Sequence, residues 1–177
     1  ILGDAVKIIE KTKGVKVDLY NLPMDEKKTF DFISKGYTFG MFQLGGSGMT
    51  KWLTELHPTK IKELAAMIAL FRPGPMESIP EYIARKQGKK EITYLDPALE
   101  PILKDTYGVI TYQDDLLLIA INIAGYNWET VDKFRKAVGK KIPELMAQQE
   151  KIFIDGCQTK SGWSKEKAET LWKLFDP

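Results

Sequence analysis

The sequence predicts a mainly α-helical fold with one or two short strands, and three observations carry that prediction. Apolar residues recur at i, i+3, i+4 and i+7 through most of the chain, the stripe that one buried face of a helix requires. Glycine, proline, aspartate and serine fall where those stripes begin and end. Residues 109–112, Val-Ile-Thr-Tyr, are the best short strand, whereas residues 37–43 alternate too irregularly for a firm strand.

Taken in order, Leu2, Val6 and Ile9 keep helical spacing up to Gly14, and residues 15–17 read as a short extended link. Asp25 caps a helix through Phe30 and Ile33 to Gly36. Ser47 caps a third, which turns Met49, Trp52, Leu53 and Leu56 inward and closes at His57-Pro58. Ile61, Leu64, Ala65 and Ile68 repeat the period as far as Leu70. There Phe71-Arg72-Pro73-Gly74-Pro75 breaks the helix, because neither proline donates a backbone hydrogen bond, and makes a stiff turn that presents Arg72 in one place. Pro80 opens a helix through Tyr82, Ile83 and Arg85 to Gly88, and Gln87-Gly88-Lys89-Lys90 is a basic loop. Asp96-Pro97 starts another, with Leu99, Ile102 and Leu103 inward, ending at Tyr107-Gly108.

Gln113-Asp114-Asp115 enters a helix bearing Leu116, Ile119, Ala120 and Ile123. Asn127 caps a helix whose stripe is Val131, Phe134 and Val138; Gly139 and Pro143 stop it, so Lys140 and Lys141 lie just past its end. Pro143 and Glu144 open a helix with Leu145, Gln149, Ile152, Phe153 and Gly156 along one face. Ser164 caps the last, with Ala168, Leu171, Trp172 and Phe175 inward. Ten segments are thus marked, of which seven to nine are expected to form amphipathic helices, in one domain or in two sub-lobes, 1–88 and 89–177.

Composition narrows the function. A chain of 177 residues that is 44% hydrophobic and 28% charged builds a sizeable core. Its net charge of +2 gives no global basic field, so any polyanion site is local. One cysteine, Cys157, excludes an internal disulfide, and with one histidine, His57, it removes the usual Cys/His zinc sites. His57 beside Pro58 reads as a helix boundary, since no serine, cysteine or second histidine near it completes a catalytic constellation. No apolar run crosses a bilayer, and the charged segment 4–16 does not read as a signal peptide. Beginning at Ile1 rather than methionine, the chain reads as a piece of a longer one.

Two glycine-rich or acidic stretches invite chemistry and fall short. Leu44-Gly45-Gly46-Ser47-Gly48-Met49 lacks the lysine and the following Ser/Thr of a phosphate-cradling loop, and reads better as a turn feeding a helix. Asp114 and Asp115 sit where a helix N-terminus favours negative charge, but neighbours on a helix diverge by about 100°, against the convergence a two-metal site needs. Residues 131–141, VDKFRKAVGKK, are different. They put Arg135 at the rim of an apolar stripe, with Lys136, Lys140 and Lys141 close behind. A partly desolvated guanidinium offers phosphate a two-point fork, and at an effective dielectric near 20 unit charges 4 Å apart interact by roughly 4 kcal/mol, against about 1 kcal/mol in water. The plainer reading pairs Asp132 with Lys136 and sets Lys140 and Lys141 against the negative end of the helix dipole.

Arg135-Lys136-Ala137-Val138-Gly139-Lys140-Lys141 resembles the R-[RK]-A-x-G-K-K signature in the fingers of bacterial C-family replicative DNA polymerases, the DNA polymerase III alpha subunits. Phe42-Gln43-Leu44, Gly48-Met49, Phe71-Arg72-Pro73-Gly74-Pro75, Tyr107-Gly108 and Tyr112-Gln113 follow that family's order and approximate spacing, so the resemblance spans essentially the whole chain. It departs at Gly45-Gly46, where members commonly carry Glu-Ser, and at Lys136, where others carry a second arginine.

The resemblance implies a multi-helix fingers domain of a DNA-directed DNA polymerase, inactive alone. Its catalytic aspartates, with their Mg2+, lie in a palm; Ile1-Leu2-Gly3 would follow one of them directly, and Pro177 would stand just before a Y-G-F-N-K motif. Within this chain it implies no catalytic residue, metal or cofactor. Arg135, Lys136, Lys140 and Lys141 would bind the incoming deoxynucleoside triphosphate, and Arg72, Gln43, Gln113, Lys89 and Lys90 would line the cleft or touch DNA. Template-primer DNA, deoxynucleoside triphosphates and other replicative subunits are the implied partners, in the bacterial cytoplasm and without a membrane. The alternative is a stand-alone helical nucleic-acid-binding module whose Lys89, Lys90, Lys140 and Lys141 contact phosphates without chemistry.

Overall fold

The computed structural model describes residues 1–175; the chain end at Pro177 lies outside them. Regular structure among the described residues is helical throughout. Helix α1 spans Leu2–Lys13, α2 Lys27–Ser34, α3 Ser47–Leu56, α4 Ile61–Leu70 and α5 Ile79–Lys86. The single turn α6 covers Glu100–Leu103, followed by α7 Gln113–Ala124, α8 Val131–Lys140, α9 Pro143–Ser161 and α10 Lys165–Trp172. Among the described residues all ten marked segments form helices, against the seven to nine expected.

The predicted strand at residues 109–112 does not form. Asp115 in the first turn of α7 accepts the N–H groups of Thr111 at 2.9 Å and Tyr112 at 2.8 Å, and Val109 N–H bonds to Thr106 O at 3.0 Å. Those donors are turned into the helix cap, so no ladder is left for a partner strand. Residues 37–43 are likewise turns and bends.

Two hydrophobic cores divide the helices. Phe30, Met49, Leu53, Leu56, Met67, Leu70 and Tyr82 gather α2–α5 around the first, which also takes in Val109. Ile119, Ile123, Phe134, Phe153, Leu171 and Trp172 gather α7–α10 around the second. Helix α1 joins neither: it forms as its spacing predicts and ends on left-handed Gly14 (φ 66°), but none of its residues is buried, and Leu2 and Ile8 stand exposed.

The face of α4 departs from the expected stripe. Ile61 and Ala65 are exposed, while Leu64, Ala66, Met67 and Leu70 are buried together with Glu63. Glu63 turns the helix because its carboxylate is satisfied inside: it accepts Thr59 N–H at 2.7 Å and the Tyr107 hydroxyl at 2.6 Å, with Lys86 Nζ at 3.5 Å. Burial, then that bond to Glu63, raises the Tyr107 hydroxyl above its ordinary range and keeps it a donor. Lys86 also reaches the α3 carbonyls of Leu56, at 3.0 Å, and His57, and so seals the end of that helix. His57 is the left-handed cap of α3 (φ 48°), a boundary residue as read from Pro58.

In α9, Gln149, Phe153 and Cys157 face the core, whereas Ile152, placed on that face from the sequence, is 51% exposed. Gly156 lies where α9 crosses α7: a β-carbon there would stand 2.0 Å from Ala124 O, so glycine alone allows this approach. Burial pushes the Cys157 thiol up to about 12, which leaves it a small apolar core group. The last helix is as predicted, with the Ser164 hydroxyl accepting Lys167 N–H at 3.3 Å and Ala168, Leu171 and Trp172 buried.

Candidate functional site

Helix α8 is short, and its buried face fixes the rest. Val131, Phe134 and Ala137 are buried, Val138 packs against the same core, and Arg135 and Lys136 therefore face outward from a helix anchored by aromatic rings. Its start is set three residues early. The Asn127 carboxamide oxygen accepts the N–H groups of Glu129 at 3.0 Å and Thr130 at 2.8 Å, and the Thr130 hydroxyl accepts Asn127 N–H at 3.0 Å. Asn127 thus organises the entry turn, while Thr130 occupies the cap position itself.

The end of α8 lies two residues later than the glycine suggested. Gly139 is helical and Lys140 is the last helical residue; Lys141 takes the left-handed cap (φ 50°), its N–H bonded to Ala137 O at 2.9 Å. Pro143 explains the shift: the residue before a proline avoids helical geometry, so Ile142 is extended (φ −79°, ψ 114°) and Lys141 must turn the chain. Gly139 consequently has no backbone need for glycine, and a β-carbon there would meet nothing within 4 Å. Its side of the helix, one turn beyond Arg135, is open.

Arg135 and Lys136 converge on one carboxylate. Asp132 Oδ1 accepts Arg135 Nε at 3.0 Å and Nη2 at 2.7 Å, and Oδ2 lies 2.6 Å from Lys136 Nζ. The Asp132–Lys136 pair of the plainer reading is present, with Arg135 added to it. Hydrogen bonds from Lys136 and then Arg135 hold the Asp132 carboxyl below the usual carboxylate range. The Arg135 side chain keeps 39% of its surface in contact with solvent, so the fork is half-buried but reachable. Lys140 and Lys141 are exposed at the C-terminal end of the same helix.

Among the described residues none of the other candidates hydrogen-bonds or ion-pairs with Arg135 or Lys136. Arg72 is exposed, with Nε bonded to Ala69 O at 2.7 Å, folded back on the end of α4. Its loop is held against the first turn of α3, which follows the glycine-rich turn, where a β-carbon on Gly48 would stand 2.9 Å from the Phe71 ring. Gln43 is exposed and in the left-handed region (φ 61°) of that turn. Gln113 is exposed at the start of α7, and Lys89 is exposed in its loop. Lys90 pairs with Glu81 at 2.6 Å.

Sequence reasoning missed Arg85, which joins α5 to the turn after the first core. Its Nε lies 2.6 Å from Glu81 Oε1, and its Nη1 donates to Thr93 O at 3.2 Å and Tyr107 O at 3.1 Å. The available signal was Tyr107-Gly108: Tyr107 is left-handed (φ 56°), and a β-carbon on Gly108 would stand 2.6 Å from Arg85 Nη1.

Asp115 is committed to the α7 cap and Asp114 is exposed, so the pair diverges. Among the described residues no three His, Cys, Asp or Glu side chains come together to hold a metal, and no helix is long and apolar enough to cross a membrane. The residues of this chain thus do not fit the Mg2+ that the resemblance implies for the complete enzyme.

Fold and site together define an all-α domain that displays a fixed pair of cations on one half-exposed helix. The chain belongs to the bacterial DNA polymerase III alpha subunit finger domain family, whose model matches residues 1–161. It is similar to the DNA polymerase III subunit alpha of Halalkalibacterium halodurans, 44% identical over 175 residues that make up 99% of this chain and 16% of that protein. The proteins of the same name from Thermus aquaticus and Bacillus subtilis are each 38% identical over 99% of this chain, which spans 15% and 16% of their lengths.

Proposed function

We propose that this chain is the part of a DNA-directed DNA polymerase that holds the triphosphate of the incoming deoxynucleotide, with Arg135 and Lys136 as its principal contacts and Lys140 and Lys141 adding positive charge. The observation that carries the reading is the geometry on α8: a guanidinium and an ammonium gathered on Asp132, on a helix whose opposite face is locked into an aromatic core. Cations fixed before substrate arrives lose little freedom on binding, and they act most strongly where charge develops as pyrophosphate leaves. Arg135 offers two parallel bonds to phosphate, whereas Lys136 offers a point charge without a fork.

Nucleotidyl transfer itself would be carried out by the rest of the polymerase, where the carboxylates and their Mg2+ reside. Arg72, Gln43, Gln113, Lys89 and Lys90 are proposed as contacts to template-primer DNA or the cleft wall. The division into sub-lobes 1–88 and 89–177 is proposed on the two cores, with Val109, Tyr107 and Tyr112 of the second stretch packed into the first core. Other replicative subunits would bind through regions outside this chain, in the bacterial cytoplasm.

A salt titration separates this reading from the stand-alone binding module. Four lysines engaging phosphates on duplex DNA predict a slope of log K against log salt of about −3.6 and a Kd of about 1–100 µM near physiological salt for a stand-alone binder. The expected result for this chain with primer-template DNA is a Kd weaker than about 100 µM near physiological salt, with a shallower slope. Tight binding with the steep slope would favour the alternative.

A further inference from the structure

Asp132 lies one turn before the two cations and touches both, with Oδ1 on Arg135 Nε and Nη2 at 3.0 and 2.7 Å and Oδ2 on Lys136 Nζ at 2.6 Å. A guanidinium has two edges that can grip an oxyanion: the side edge, Nε with Nη2, and the end, Nη1 with Nη2. Asp132 takes the side edge, and Nη1 has no protein partner among the described residues. The end therefore remains available to a second anion without release of the first. Lys136 likewise gives one of its three N–H bonds to Asp132 and keeps two. Both long side chains are drawn into one arrangement on a rigid helix, at a surface where each would otherwise sample many rotamers.

We infer that Asp132 is a positioning residue for the triphosphate site: it aims Arg135 and Lys136, and the phosphate binds the edges it leaves open. This rests on the proposed role of Arg135. A carboxylate that only competed with phosphate would have to leave for the nucleotide to bind, and its removal would tighten binding. One that positions the cations gives the opposite sign, because misplaced groups lose most where the transition state demands alignment.

Single-turnover incorporation by the complete polymerase tests this, with rate and nucleotide KM measured for Asp132→Ala, Asp132→Asn, Arg135→Ala and the double variant Asp132→Ala/Arg135→Ala. Asp132→Ala is expected to lower the maximal rate on the order of tenfold, with KM moving less than about threefold. Asp132→Asn keeps an oxygen facing Arg135 and is expected to recover part of the loss. In the Arg135→Ala background, removing Asp132 is expected to cost less than about twofold, since its effect runs through the arginine. Equal losses in both backgrounds, or a lower KM for Asp132→Ala, would overturn the inference. So would a loss under about threefold for Asp132→Ala beside a loss of a hundredfold or more for Arg135→Ala. If Arg135→Ala itself costs less than about threefold, the triphosphate reading fails first and Asp132 falls with it. Thermal melting of each variant accompanies the kinetics, and Asp132→Asn, nearly isosteric, carries the comparison if the alanine variant melts early.

Discussion

Replacing Arg135 with alanine in the complete polymerase is expected to slow deoxynucleotide incorporation by about 10²–10³-fold, the loss that follows removal of one transition-state donor. The domain should stay folded, because the Arg135 side chain is 39% exposed and its truncation opens no cavity in the core. Lys136 cannot substitute for it, since an ammonium lacks the planar fork that grips two oxygens at once. Truncation also leaves Asp132 facing the site with only Lys136 to balance it, so the charge that remains is less favourable to a triphosphate. Single-turnover kinetics, with circular dichroism to confirm the fold, check the prediction. A loss below about threefold would remove Arg135 from this role.

Phe134→Ala should be the most damaging change to stability on the same helix, costing about 3–5 kcal/mol. Phe134 is fully buried, with ring centroids 5.4 Å from Tyr126, 5.8 Å from Phe153, 5.7 Å from Phe175 and 6.1 Å from Trp172. These rings come from the approach to α8, from α9 and from the end of α10, so its loss unpins α8 from three directions at once. Shape-specific ring contacts add to the area lost. Urea unfolding of the wild-type chain and the variant gives the difference directly, and a change below about 1 kcal/mol would mean that α8 is held by something else.

What the sequence made legible follows from how local each determinant is. The stripe Ala168, Leu171, Trp172 and Phe175, with Ser164 as its cap, needed only spacing and one hydroxyl, and both were read correctly. Asp115 was also read correctly as a helix-start carboxylate, for the same local reason. The face of α4 was not legible. Its apolar residues run nearly all round, and what turned it was a buried Glu63 whose partner, Tyr107, lies 44 residues away. The strand at residues 109–112 failed in the same way, since β-branched residues favour a strand only where a neighbour exists to pair with.

The candidate site was legible in its residues and only partly in its geometry. Spacing placed Arg135 at the edge of the apolar stripe and paired Asp132 with Lys136, and both hold. That Arg135 shares the same carboxylate depends on rotamers, which spacing does not determine. Gly139 drew the helix end toward itself because glycine is the usual left-handed cap, whereas Pro143 moved that conformation to Lys141.

The position of Arg135 relative to an incoming nucleotide, in a structure of the complete polymerase with primer-template DNA, is the most direct measurement. The predicted result is an Arg135 guanidinium nitrogen within about 3 Å of a phosphate oxygen, with Asp132 still on the Nε–Nη2 edge. A bound triphosphate with every phosphate oxygen more than about 6 Å from Arg135, beyond the reach of a direct charge contact, would contradict it.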